Sequence, residues 1–360
     1  MPGNNQFKNL TFSYFLIFSL NLLFVCGIYA QSGSISFIEF FSGTDTNVLR
    51  DTTGRSADNT YQVFFHRRSS FNTAFKIYGA YSLSGGMSLY TRFSSENRAS
   101  FNSAVNLRLP VTRISVINFD GTAKFKYYFN GINYQLFNSH QGIILTPKPG
   151  FVLQFYADLI KFNMPDDPDF SYTCAGAGGS FTYKFSGSLS LSVRSFAAKR
   201  VFLRDAFDYT KNPDTSDNWI RKSFRQNDNI YSVSLNLQAF SVVFIDADIS
   251  FDTNLSNSFG YSYRRPKFSF TIARAITENI TLTIKGAVQK KAYKEKVAPI
   301  LMVRPKTEFE ENSFIIGDLA RDFGDKNSIK IRFAFYKNES PFRERFYKKS
   351  VITVGYSHRF

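Results

Sequence analysis

Apolar and polar residues alternate along most of this chain with a period of two. In "GFVLQFYADLIKF", Phe151, Leu153, Phe155, Ala157 and Leu159 share one parity, while Gln154, Tyr156 and Asp158 share the other. "SVVFIDADISF" sets Val243, Ile245, Ala247, Ile249 and Phe251 against Asp246, Asp248 and Ser250. "ITLTIKGAV" sets Ile280, Leu282, Ile284 and Val288 against Thr281, Thr283 and Lys285, and "FNTAFKIYGAYSL", "NSIKIRFAFYK" and "SVITVGYSHRF" repeat the pattern. Successive side chains of a strand point to opposite faces, so each run predicts a strand with one greasy and one polar side. Helical periodicity is almost absent.

Turn signals punctuate the runs: "SGG" at 84, "FDG" at 119, "NG" at 130, "PKPG" at 147, "TEN" at 277 and "FGDKN" at 323. Longer polar stretches predict loops: "SGTDTNVLRDTTGRSADNT", "NMPDDPDFSYTCAGAGGS", "DAFDYTKNPDTSDNWIRKSFRQND" and "YKEKVAPILMVRPKTEFEEN". Walking back from Phe360, long and short connections mostly alternate, with the "NG" hairpin a tight turn on the loop side. The runs predict about sixteen strands, an even number between about fourteen and eighteen, taking 61–83 as one long strand and 101–119 as one or two. The fold class expected is all-β: a transmembrane antiparallel up-and-down barrel with short periplasmic turns and longer extracellular loops. A soluble β-sandwich also alternates, but it gives no reason for Phe 42 and Tyr 20 against Trp 1.

Average composition hides this architecture, since 43% hydrophobic residues and a mean hydropathy of −0.21 would pass for a soluble protein. The N-terminus is separate in character. "MPGNNQFKN" is followed by an apolar run ending at Ala30, which predicts a signal peptide over 1–30 cleaved before Gln31 and export through the Sec pathway. An uncleaved membrane helix and lipidation at Cys26 are the alternatives. The barrel domain is then 31–360. Cys174 is left without a partner, so no disulfide framework is expected.

Ile352, Val354, Tyr356 and Phe360 share one parity in the last ten residues. In this the chain resembles Gram-negative outer-membrane β-barrels of the porin type, and the resemblance spans the whole of residues 31–360. Such proteins end on Phe with apolar or aromatic residues at alternate positions before it. The resemblance implies that these four residues are an assembly signal read by the barrel-assembly machinery. His358 departs from it, standing where an apolar residue is usual.

Catalytic chemistry finds little support. The three histidines are His66 in "FFHRRSS", His140 in "NSHQG" and His358. No nucleophile elbow, HExxH pair or P-loop occurs, nor the His-x-Ser-Asn-Gly-like run that resemblance to outer-membrane phospholipases would require. His140 has no carboxylate within five residues either way. Asp166, Asp167 and Asp169, and likewise Glu308, Glu310 and Glu311, have the oxygen chemistry of a Ca²⁺ site. They match no defined calcium loop and read as solvated acidic turns. No enzyme, cofactor or metal is expected.

Charge is more informative. Lys+Arg 44 against Asp+Glu 28 gives +16, which in an exported barrel points to anionic lipid headgroups and lipopolysaccharide, not to nucleic acid. The greasy parity faces lipid, because a charge at mid-bilayer costs about 2–4 kcal/mol. The other parity then places Arg92, Arg108, Lys124, Lys126, Lys184, Arg194, Lys285, Lys330 and Arg332 along the lumen, with Asp158, Asp246 and Asp248 as the acids. On this register inward bases outnumber inward acids about three to one, and rings of Arg and Lys favour anions. The expected function is passive diffusion of small, anionic solutes. The alternatives are an interaction barrel (adhesin or secretion-system partner) working through its loops, or a transporter of apolar solutes with "SGSISFIEFFSG" at 32–43 as an N-terminal hatch. Solute identity and oligomeric state are not legible.

Overall fold

An alternating segment has only one way to satisfy its backbone in lipid: it must pair on both edges and close. The chain does this in a computed structural model that describes residues 34–47, 57–73, 76–129, 133–210, 218–295, 313–338 and 347–360. Residues 1–30, where a signal peptide is expected, and the cluster Glu308, Glu310 and Glu311 lie outside the described residues.

Strands run in chain order from β1 (Ser34–Asp45) through β2 (Asp58–Asn72), β3 (Tyr78–Tyr90), β4 (Arg98–Pro110), β5 (Ser115–Tyr128) and β6 (Tyr134–Lys148). β7 (Phe151–Asn163), β8 (Tyr172–Ser186), β9 (Leu189–Thr210), β10 (Asn218–Phe240) and β11 (Phe244–Ser256) follow. The circuit ends with β12 (Tyr263–Thr277), β13 (Ile280–Gln289, continued by Ala292–Tyr293), β14 (Ser313–Phe323), β15 (Asn327–Asn338) and β16 (Tyr347–Arg359). Among the described residues these form sixteen staves, each antiparallel to its sequence neighbours, and β1 pairs with β16 to close the barrel. Lys349 Nζ on β16 lies 2.5 Å from the buried Asp45 Oδ2 on β1 and pins that seam.

The strand ends joined by 73–77, 111–114, 149–150, 187–188, 241–243, 278–279 and 324–326 lie at one end, and those joined by the remaining, mostly longer stretches of sequence lie at the other. Tyr128 and Tyr134, the strand ends that flank the "NG" pair, do fall on the loop side. β9 and β10 have 22 and 23 residues, against about ten needed to cross a bilayer, so their hairpin continues well past the loop-side rim.

Several expectations are corrected. Residues 61–83 are two strands, broken at 73–77, and 101–119 belongs to two strands, β4 and β5. "SGG" and "FDG" are mid-strand in β3 and β5, because these glycines serve packing between strands. The stretches beginning at Asn163 and Asp205 are largely strand: Cys174 is buried in β8, and β9 and β10 take up most of the second. Residues 34–45 are not a hatch; they are a full wall strand bonded to β2 and β16.

Candidate functional site: the inner wall

Which face is inner follows from contacts that skip a strand. Lys330 on β15 reaches Glu39 on β1, with Nζ 3.2 Å from Oε1, although β16 lies between them. Side chains two strands apart meet only on the concave side. The opposite parity holds the exposed large apolar residues, among them Phe155, Ile249, Val288 and Ile331, and forms the greasy outer belt.

Arg108, Lys124, Lys126, Lys184, Arg194, Lys285, Lys330 and Arg332 all take the inner parity of their strands, as do Asp158, Asp246 and Asp248. Arg92 does not lie on a strand. It sits in the connection after β3, where its N–H donates to Asp58 Oδ2 at 2.7 Å. Lys126 is buried, its ammonium 5.1 Å from the Tyr128 ring centroid and 5.9 Å from that of Tyr134. Ile352, Val354, Tyr356 and Phe360 are exposed on the outer face. The departing His358 is held at the short-turn end, where Asn327 Oδ1 is 2.8 Å from its Nδ1 and accepts from Tyr356 Oη at 2.6 Å.

The wall carries more acid than the sequence reading expected. Glu39, Asp120, Asp252 and Asp318 also face inward, so the three-to-one excess of bases does not hold. These acids escaped notice because Glu39 lay in the expected hatch and Asp120 in an expected turn. Many inner charges pair across adjacent strands. Arg265 grips Asp252 from Nη2 and Nε at 2.6 and 2.9 Å, and Asn236 Nδ2 donates to Asp246 Oδ1 at 2.6 Å. His66 Nε2 lies 3.4 Å from Glu39 Oε2. His140 Nδ1 lies 2.6 Å from Asp158 Oδ1 on β7, and its Nε2 lies 3.0 Å from Gln154. The acid absent from the local sequence of His140 thus comes from the next strand, and the other ring nitrogen faces Gln154. Lys124, Lys184, Arg108, Lys267 and Lys285 make no ion-pair contact among the described residues, and Arg194 and Lys267 act on Asp248 only through their field.

Three inner aromatic rings sit over glycines of the neighbouring strand. Phe41 covers Gly355, Phe64 covers Gly86 and Phe196 covers Gly176; a Cβ at these glycines would stand 2.2, 2.3 and 2.5 Å from the ring. The missing side chain on one strand receives the ring of the next, an aromatic rescue of glycine.

At the loop end the 164–171 connection turns inward. Met164 and Phe170 are buried against Tyr134 and Phe162, with Leu136 and Tyr172 alongside, and Asn133 N–H donates to Asp166 Oδ2 at 2.9 Å. Among the described residues no carboxylate, His or Cys cluster has the grouping of a metal site.

No family model matches the sequence, and neither does any curated protein. Among solved structures the chain is similar to OccAB3 of Acinetobacter baumannii, with 7% identity over 92% of this chain and 100% of that one and a TM-score of 0.44. It is likewise similar to OccK11 of Pseudomonas aeruginosa, with 11% identity over 91% and 96% and a TM-score of 0.43. For the Pseudomonas putida toluene transporter TodX the values are 10%, 91%, 88% and 0.39. The closed circuit of strand pairing and the exposed apolar outer belt together make the chain a transmembrane β-barrel.

Proposed function

We propose that the chain is a passive diffusion channel of the outer membrane that favours small anions. The observation that carries this reading is the inner wall: many of its acids are matched by a base, while among the described residues Lys124 and Lys285 make no ion-pair contact. Sixteen strands close around a lumen wide enough for water and small solutes, and unpaired lysines on a low-dielectric wall give it a positive mean potential. Recording in planar bilayers tests the proposal: discrete conductance steps are expected, and a KCl gradient should give a reversal potential on the chloride side. A purified, folded barrel with no steps would defeat it and leave the loop-borne interaction reading in its place.

A second reading has its own support. The inward-turned 164–171 connection sets the packed cluster of Tyr134, Phe162, Met164 and Phe170 at the loop end, with the partly buried Leu136 and Tyr172 beside it as apolar side chains that a carrier of apolar solutes could use. Uptake of a neutral aromatic solute by vesicles with no measurable ion conductance would favour it. Bulk partners on either reading are outer-membrane lipid and lipopolysaccharide, with the barrel-assembly machinery needed for insertion.

A further inference from the structure

The outer face of the barrel carries cations at one height and along one arc. Lys161 on β7, Lys199 on β9, Arg264 on β12 and Lys348 on β16 are exposed. So is Lys290, whose N–H extends the β13 ladder by donating to Pro266 O of β12 at 3.2 Å. Each takes the parity of exposed apolar residues on its strand: Lys161 with Phe155 and Leu159, Lys199 with Val193, Arg264 with Phe268, Lys290 with Val288, and Lys348 with Ile352. Each stands about ten to thirteen residues from the short-turn end of its strand, and about ten residues cross a bilayer. The five side chains therefore share the level of the loop-side headgroups. On β15 the same place is taken by Lys337, opposite Lys348 in the register.

Lys161, Lys199, Arg264, Lys290 and Lys348 make no ion-pair contact among the described residues. Among the described strand residues Asp205 is the one acid of lipid-facing parity, and Arg221 Nε already donates to it at 2.7 Å. The other arc differs. Along β1 to β6 the same level is taken by Thr44, Tyr61, Leu89, Ala99, Tyr127 and Gln135, none of them charged. A cation on the lipid face is costly at mid-bilayer and nearly without penalty at the interface, where long side chains reach the headgroups. Five unmatched cations at one level of an open face therefore call for anions held at that level. Lipid phosphates are such anions, and lysine and arginine hold them by charge-assisted hydrogen bonds.

We propose that the arc from β7 to β16 is a docking face for the phosphate groups of an outer-leaflet glycolipid, and that the arc from β1 to β6 binds none. Arg264 and Lys290 form one pair on this face. Arg264 is opposite Ala292 and Lys290 borders Pro266, so the two cations are diagonal neighbours on adjacent strands, within reach of long side chains. The occupant is a lipid and not a free ion because apolar surface continues directly below the charges. Phe268 and Val288 face each other in the register on the same side, 42% and 58% exposed, where acyl chains run. The inference rests on the outer-membrane reading above and not on an open lumen.

The test uses the folded full barrel in nonionic detergent, where conductance plays no part, so a failed docking face and a failed channel are distinguishable. Bisphosphorylated lipid A is titrated in, and bound lipid is counted by native mass spectrometry. Lipid A stripped of its phosphates is the matched probe. Saturable binding of the phosphorylated form is expected, with little of the stripped form retained. Arg264→Gln combined with Lys290→Gln should raise half-saturation about tenfold or more. Arg274→Gln, exposed on the same face of β12 at its short-turn end, should leave it unchanged. If the double variant gives no heat-modifiable folded band, Lys199→Gln combined with Lys348→Gln takes its place. Equal binding of the two forms of lipid A, or a half-saturation unmoved by the double variants, overturns the proposal. So does a loss in Arg274→Gln as large as theirs, and full displacement by equimolar inorganic phosphate overturns the assignment to lipid.

Discussion

Arg332 on β15 holds Asp318 on β14 by two parallel bonds, Nε to Oδ1 at 2.6 Å and Nη2 to Oδ2 at 2.9 Å. The two residues face each other in the strand register, so the backbone ladder itself sets the fork against the carboxylate. This arginine is therefore a partner inside the wall before it is a free charge in the lumen, and Lys330 stands in the same relation to Glu39.

Stability should reveal that difference. Arg332→Ala leaves the Asp318 carboxylate without its fork, and the barrel should lose about 1–3 kcal/mol. Lys124→Ala, which breaks no ion pair among the described residues, should change stability by less than about 0.5 kcal/mol. Urea unfolding in lipid bilayers, followed by the heat-modifiable gel shift, measures both; equal losses would mean that the Arg332–Asp318 pair contributes nothing special.

Selectivity should rest on Lys124 and Lys285 instead. Exchanging both for Glu reverses charge without stripping an acid of its base, and chloride preference should shrink or invert. The preference should also be strong in dilute salt and fade in concentrated salt, since the Debye length falls from about 10 Å at 0.1 M to about 3 Å at 1 M. A reversal potential that ignores both the double variant and the salt level would show that these lysines do not set it.

Phe41 rests on Gly355, so Gly355→Ala should lift the ring from the wall. Its new Cβ would stand 2.2 Å from the ring, which the backbone pairing of β1 and β16 cannot relax by sliding. The expected result is a smaller conductance step together with a loss of about 1–3 kcal/mol. Gly317→Ala, where an added Cβ meets nothing, is the control and should leave both unchanged.

Assembly should depend on the face of the terminal strand, not on its backbone. The Phe360 N–H donates to Ser36 O at 2.9 Å whatever the side chain, so Phe360→Asp removes only the outward ring. Folded yield in the outer membrane should fall far more for Phe360→Asp than for Arg359→Asp, which takes the opposite parity. Equal yields would remove the terminal aromatic from the assembly signal.

Alternation settled the parity of most strands, because a strand exposes its facing directly in the order of its side chains. Phe155, Ile249, Val288 and Val354 were legible as lipid-facing on that ground alone, and Asp158, Asp246 and Lys285 as inward-facing. The positions of turns were less legible. Gly85, Gly86 and Gly121 look like punctuation in one dimension, yet they lie mid-strand, with Gly86 lying under the Phe64 ring. The long polar stretch from Asp205 looked like a loop because β9 and β10 pair mainly with each other there and need no greasy face to do so.

What only the closed barrel decided is which charge meets which. Glu39 and Lys330 are 291 positions apart in the chain, and His140 finds its acid on the next strand at Asp158. Side-chain order along one strand determines facing, but a partner depends on the register between strands. That register is set by backbone pairing around the whole circuit, including the seam of β1 with β16. The polarity of the wall is therefore a property of the sequence, whereas its pairing, and with it the charge left over for a solute to meet, belongs to the tertiary structure.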